Sequence, residues 1–189
     1  QLPRNQHLTQ PDDWSPVIVD VLSRLIDLIS GHQRIVWNIR RLIDGASLLG
    51  IPVVATEQYP EKLGPTTPEL AERLDGASAK LRFSCCECAE VFEQLAERGI
   101  YKLLVVGIEA HVCIQQTVMD LMANGFQVYV AVDAVGARYT IDCETALKRM
   151  DSSGATLTTT ESALFEWCEV SRTPEFKKIS EMIREQPPS

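Results

Sequence analysis

The sequence predicts an α/β fold, a mostly parallel sheet with helices on both faces, and three observations carry that expectation. Four short apolar runs, Val17–Val21, Pro52–Thr56, Leu103–Val106 and Val128–Val132, read as strands buried on both sides. Segments with apolar residues at helical spacing alternate with them, as a parallel sheet requires to carry the chain back between strands. Glycines such as Gly50, Gly99 and the pair Asn124-Gly125 stand where those helices stop.

Taken in order, Val17–Val21 follows Pro16 and suits a buried strand. The next helix sets Val36, Ile39, Ile43 and Ala46 on one face, with Arg40, Arg41, Asp44 and Ser47 off it. Pro52–Thr56 is the second strand. The stretch Tyr59–Pro68, with Pro60, Gly64, Pro65 and Pro68, is too long for a plain connection and is expected to shape a binding crevice. A brief extended piece covers Lys80–Phe83, and Val91, Leu95 and Ala96 mark a helix ending near Gly99. After the strand Leu103–Val106, residues Ile114, Val118, Leu121 and Met122 form the stripe of another helix. Val128–Val132 is a strand, Cys143–Met150 a helix and Ala155–Leu157 a last strand. Ser162–Cys168 and Glu175–Ile183 are helical. A polar arm, residues 1–13, precedes a single domain over 14–184, and 185–189 is expected to be a flexible tail.

Composition narrows the function. A chain of 189 residues, 45% hydrophobic, supports one well-buried core. Its net charge of -8 disfavours nucleic acid and anionic membrane as partners and favours a small-molecule substrate. No stretch has the length of a membrane span, and the N-terminus lacks a signal-like apolar region. The six cysteines are irregularly spaced in a chain that needs no staples, so they read as reduced and the protein as cytoplasmic. Cys85-Cys86-Glu87-Cys88 has no second pair at zinc-like spacing, and no Gly-rich phosphate motif occurs. No metal and no cofactor are expected.

The chemistry centres on Lys102–Gly125, where a strand runs through Gly107-Ile108-Glu109-Ala110-His111-Val112 into Cys113 and a helix. A helix start is a place where a thiolate, the nucleophilic form, is stabilised. The bland alternative is a buried structural cysteine. In parallel sheets ligands bind at the carboxyl ends of strands, which selects Asp20, Thr56-Glu57-Gln58, Lys80 and Glu109–Cys113 as convergent positions. There Asp20 is a candidate general base, Lys80 a cation that tunes thiol and carboxylate, and the Glu109 and Cys113 amides candidate oxyanion donors. Asp20 read alone equally suits a strand end, and Lys80 a solvated surface.

Asp20 after an apolar strand, Lys80 in Ala79-Lys80-Leu81-Arg82-Phe83-Ser84 and Cys113 in the Gly107–Cys113 turn together resemble the isochorismatase-like cysteine hydrolase superfamily. Thr56-Glu57-Gln58-Tyr59-Pro60 with Leu63-Gly64-Pro65-Thr66 is similar to its isochorismatase domain-containing branch. The resemblance implies a Rossmann-like, three-layer fold with a six-stranded parallel sheet, and an Asp20, Lys80, Cys113 triad that hydrolyses small amides or related non-peptide C–N bonds through a thioester. It also implies a cis peptide between Ile108 and Glu109, a pocket drawn from Leu22, Gln58, Tyr59, Phe83 and His111, and a homo-oligomer, dimer or tetramer.

Two departures matter. Asp20-Val21-Leu22 replaces the family's Asp-x-Gln, which motivates a second reading as a weakly active or non-catalytic scaffold. Thr56-Glu57-Gln58-Tyr59 replaces the metal-binding cluster of nicotinamidases. Arg82, Arg138 and Tyr139 are further candidates to meet an anionic substrate, with a solvated surface role as the default for each arginine. Thiol redox sensing by Cys85, Cys86 or Cys88 ranks last.

Overall fold

The computed structural model describes residues 1–8 and 11–189. Six strands form one all-parallel sheet: β1 (Trp14–Val19), β2 (Val54–Gln58), β3 (Ser78–Lys80), β4 (Lys102–Ile108), β5 (Gln127–Gly136) and β6 (Thr156–Thr158). Their spatial order is β3-β2-β1-β4-β5-β6, so the chain builds outward from β1 to one edge and then crosses back to β4. The helices are α1 (His32–Leu48), α2 (Pro60–Leu63), α3 (Pro68–Ala71), α4 (Ala89–Glu97), α5 (Gln115–Ala123), α6 (Thr140–Ser152), α7 (Thr160–Cys168) and α8 (Pro174–Ile183).

Alternation along the strands sorts side chains into two cores. Ile18, Leu104, Val106, Ile108, Tyr129 and Ala131 face α1, α7 and α8 and meet Ile39, Leu42, Leu164 and Trp167. Val17, Val19, Leu103, Val105, Val128 and Val130 face the other way, onto Phe92, Leu95, Ile114, Val118, Leu121 and Met150 of α4, α5 and α6. Each Val, Leu, Ile, Phe or Met among them contributes about 1.5–3 kcal/mol by leaving water. The first core is anchored by Trp14, whose ring lies 4.8 Å from Trp167 and 5.7 Å from Tyr129.

The predicted strands and helices recur, with instructive shifts. β1 starts at Trp14, before Pro16, because β2 pairs with it only from Val17; the proline sits where β1 has a single ladder neighbour. β2 begins two residues later than expected, at Val54. β3 ends at Lys80 rather than starting there. β5 runs on to Gly136 through a bulge, its register with β4 shifting between Val105 and Gly107. Polar Asp133 within the bulge is the reason the run looked shorter. Its carboxylate accepts from the Thr160 N–H and hydroxyl, both at 2.9 Å, which starts α7.

One helix assignment is corrected. Arg41, placed off the core face of α1, is buried; its guanidinium lies 3.7 Å from the Trp37 ring centroid and donates to Asn38 Oδ1 at 2.7 Å. The aromatic face and the amide offset the cost of taking that charge out of water.

Candidate active site

The strand order reverses between β1 and β4, the place where parallel sheets bind ligands, and the chain puts polar side chains at the carboxyl ends of the strands there. Asp20 follows β1 in the left-handed region, φ 52°, held by its N–H to Thr56 O at 3.2 Å. Only 1% of Asp20 is exposed. One carboxylate oxygen accepts from the Thr56 hydroxyl at 3.0 Å and the other from Lys80 Nζ at 2.8 Å.

Lys80 closes β3 and is as deeply buried. Its ammonium is ringed by Asp20 Oδ2, Gln58 Oε1 at 2.7 Å, Phe83 O at 2.8 Å and Arg82 O at 3.1 Å, with Cys113 Sγ at 3.8 Å. Burial works to lower the Lys80 pKa, but the facing Asp20 charge leads the effects that oppose it, and the net direction is upward.

Cys113 sits in a π-turn, Ala110–Ile114, that leads from β4 into α5. The peptide between Ile108 and Glu109 is cis, and Glu109 O accepts from the Val112 and Ile114 N–H groups. The Glu109 carboxylate is gripped from β5's end by the Arg138 N–H at 3.0 Å and Arg138 Nε at 3.1 Å. Arg138 is therefore engaged with Glu109, and its guanidinium is not wholly free for a ligand.

The thiol is not in the state its position suggested. A helix start and a lysine were expected to lower the Cys113 pKa, yet burial, followed by the Asp20 charge, drives it strongly upward against the pull of Lys80. Desolvation dominates because Cys113 is only 6% exposed. The resting group is S–H, and it needs a base to become a nucleophile.

A second thiol stands beside it. Cys85, wholly buried in the turn Cys85–Cys88, has its N–H bonded to Thr117 Oγ1 at 2.9 Å and its sulfur 3.3 Å from Thr56 Oγ1. Burial, then the Asp20 charge, pushes its pKa up to about 12. Sequence reasoning missed it because Cys85, Cys86 and Cys88 read as one run. Only Cys85 reaches the site network.

These directions give a pH dependence. A thiol with its folded pKa raised stays protonated when the unfolded chain has released its proton, so the unfolded state binds fewer protons and stability falls with rising pH. The fall begins near the unfolded thiol value, about pH 8.5, at about 1.4 kcal/mol per pH unit for each such thiol. Lys80 acts in the same sense but later: its contribution is intact below about pH 10.4 and is lost as pH rises through the folded value. Urea unfolding from pH 8 to 10.5 should show this slope, and Cys85→Ser with Cys113→Ser should flatten it. An unchanged slope in the double variant would contradict the buried-thiol account.

The remaining predicted site residues divide. Gln58 belongs to the Lys80 cradle, accepting from Nζ and donating to Leu81 O at 2.7 Å. Tyr59, φ 40°, and Phe83 are partly exposed near the site, and Phe83 reaches Lys80 through its backbone carbonyl. His111 turns to Asp142 of α6, Nε2 to Oδ2 at 3.8 Å. Leu22 is fully buried, and its backbone bridges to Thr66 in the Tyr59–Pro68 loop. That loop is pinned, not loose, since Glu57 Oε1 accepts from the Thr66 N–H and hydroxyl at 2.9 Å. Among the described residues no grouping of three or more His, Cys, Asp or Glu is arranged to hold a metal ion.

A family model described as the isochorismatase domain matches residues 16–162. Isochorismatase domain-containing protein 2A of Mus musculus is 37% identical over 179 residues, 94% of this chain and 86% of that protein. Isochorismatase domain-containing protein 1 of Danio rerio is 38% identical over 154 residues, 79% of this chain, and the match spans about half of that relative, 53%. A solved structure from Caenorhabditis elegans, described as MAR1 ribonuclease, superposes with TM-score 0.88 at 35% identity, covering 96% of this chain and 95% of that one.

Proposed function

Since the chain belongs to the isochorismatase family, we propose that it is a cysteine hydrolase that opens small amides or related non-peptide C–N bonds through a Cys113 thioester. The observation that carries this reading is Lys80, whose buried ammonium meets both the Asp20 carboxylate and the Cys113 sulfur. With the resting thiol protonated, Asp20 takes the S–H proton as sulfur attacks the acyl carbon. The Glu109 and Cys113 amides hold the oxyanion. Asp20 returns the proton to the leaving nitrogen as the C–N bond breaks, leaving a thioester. Water then attacks that thioester, giving a proton to Asp20, which passes it to the departing Cys113 sulfur. Lys80 holds the Asp20 carboxyl group in place throughout.

Burial of the reacting groups supports a small substrate. The net charge of -8 supports it over RNA, the class named for the C. elegans structure, because a polyanion would be repelled. Six free cysteines support a reducing, cytoplasmic setting. No helix among the described residues is long and apolar enough to cross a membrane. Leu81 and Phe83 after β3, with Tyr139 and Ile141 at the start of α6, are all more than half exposed and support burial of these apolar side chains by a second copy of the chain.

A panel of small amides and ureides should yield a substrate whose turnover falls at least about a thousandfold in Cys113→Ala and about a hundredfold or more in Asp20→Asn. RNA cleavage that survives Cys113→Ala would count for the ribonuclease reading only if it co-purified with the chain through size exclusion. Full amide turnover by either variant would end the proposed mechanism.

A further inference from the structure

The buried network around Asp20 contains more than the mechanism uses. Asp20 Oδ1 is 3.0 Å from Thr56 Oγ1, and Thr56 Oγ1 is 3.3 Å from Cys85 Sγ. All three residues are at most 1% exposed, so no water competes for these bonds. Proton accounting then orders them. The carboxylate, facing the Lys80 ammonium, only accepts, so the single Thr56 proton goes to Asp20. With that proton committed, Thr56 Oγ1 meets Cys85 as an acceptor, and the Cys85 S–H is the donor. The chain of donation runs Cys85 to Thr56 to Asp20 Oδ1, while Lys80 holds Oδ2.

We infer that Thr56 and Cys85 are positioning residues that fix the rotamer of the Asp20 carboxylate, so that its Oδ2 edge faces Lys80 and the Cys113 thiol. This rests on the reading of Asp20 as the base for Cys113. A carboxylate turns about its terminal torsion with a broad preference, so one bonded edge alone does not fix it. Gripping both edges does. The ladder adds rigidity: Thr56 pairs with Val19 in the β1–β2 register, and its carbonyl accepts the Asp20 N–H. At the far end, Cys85 is itself held by Thr117 on α5, the helix that follows the nucleophile turn. Thus the base is braced from the helix that directly follows the turn carrying the thiol. The upward drive on the Cys85 pKa agrees with a thiol that remains a donor.

The test needs no knowledge of the natural substrate. p-Nitrophenyl acetate acylates a competent thiol and releases p-nitrophenolate, so the burst, with acetylation of Cys113 read by mass spectrometry, reports the attack step. Rates are taken after subtraction of the Cys113→Ala background. Thr56→Val, nearly isosteric, should lower the limiting acylation rate at least about tenfold while leaving the half-saturating ester concentration within about twofold. Thr56→Ser, which keeps the hydroxyl, should return the rate to within about threefold of wild type. Cys85→Ala should slow acylation several-fold and Cys85→Ser should not; this pair stands in should Thr56→Val fail to fold. A structural role alone would lower the unfolding midpoint without separating rate from saturation or valine from serine. If Thr56→Val and Cys85→Ala acylate at the wild-type rate while Cys113→Ala and Asp20→Asn do not, the inference is overturned and the hydrolase reading stands. If Asp20→Asn acylates at the wild-type rate, the reading of the base falls, and with it this inference.

Discussion

Lys80→Met should abolish turnover and destabilise the protein by about 3–5 kcal/mol, the range for removing one partner of a buried ion pair. The substitution keeps most of the side chain's volume but leaves the buried Asp20 carboxylate without its cationic partner, though the Thr56 hydroxyl still donates to it. It also strands three acceptors that the ammonium now satisfies, Gln58 Oε1, Arg82 O and Phe83 O. Unsatisfied buried groups carry their own penalty, about 1–3 kcal/mol each where no water enters. Urea denaturation of wild type, Lys80→Met, Asp20→Asn and the double variant separates these contributions. If the ion pair dominates, the double variant is more stable than the sum of the single losses predicts. Additive losses, or a Lys80→Met loss below about 1 kcal/mol, would remove the ion pair from the account of this site.

Gly107→Ala should be as damaging, by a different route. Gly107 lies at φ 124°, and a Cβ there would sit 2.0 Å from Val19 O and within 3 Å of Val19 C and N. Those are backbone atoms of a central strand in register with Gly107, so no rotamer change relieves the clash. Strand β1 carries Asp20 just beyond Val19, and β4 carries the Glu109–Cys113 turn just beyond Gly107. Parting the strands at this point therefore moves the base away from the nucleophile. We expect Gly107→Ala to lose more than about 4 kcal/mol or to remain unfolded, among the largest effects of single substitutions. Gly50→Ala is the control: φ is 68° but nothing lies within 4 Å, so its cost should stay near 1 kcal/mol. Thermal midpoints of the two variants decide the matter, and similar midpoints would contradict the close-approach argument.

The sheet was legible because both-face burial leaves continuous apolar runs, and the strand ends then pointed to Asp20, Lys80 and Cys113 as neighbours. What the sequence concealed depended on distances between segments far apart in the chain. Arg41 looked like a surface charge until Trp37 and Asn38 were seen around it. The bridge from Leu22 to Thr66 joins two loops that nothing in the local sequence connects. The thiol is the sharpest case. Its position at a helix start was readable, but its protonation state is decided by burial, which local sequence does not reveal. Cys85 could have been separated from its neighbours by one signal: it starts the turn that follows Ser84, whose side chain caps the Cys86 N–H.

The strand order also has a consequence for synthesis. β1 emerges first, but its longest partner is β4, paired over six residues from Trp14–Lys102 to Val19–Gly107. Until β4 leaves the ribosome, one edge of the most central apolar strand has no ladder to join. Translation of the intervening stretch, roughly 90 residues at about 5–20 residues per second, leaves that edge open for roughly 5–20 s. During that interval Val17, Ile18 and Val19 are open to pairing with another chain. A nascent-chain chaperone that shields apolar segments would find a client here, in a strand whose second edge waits for β4.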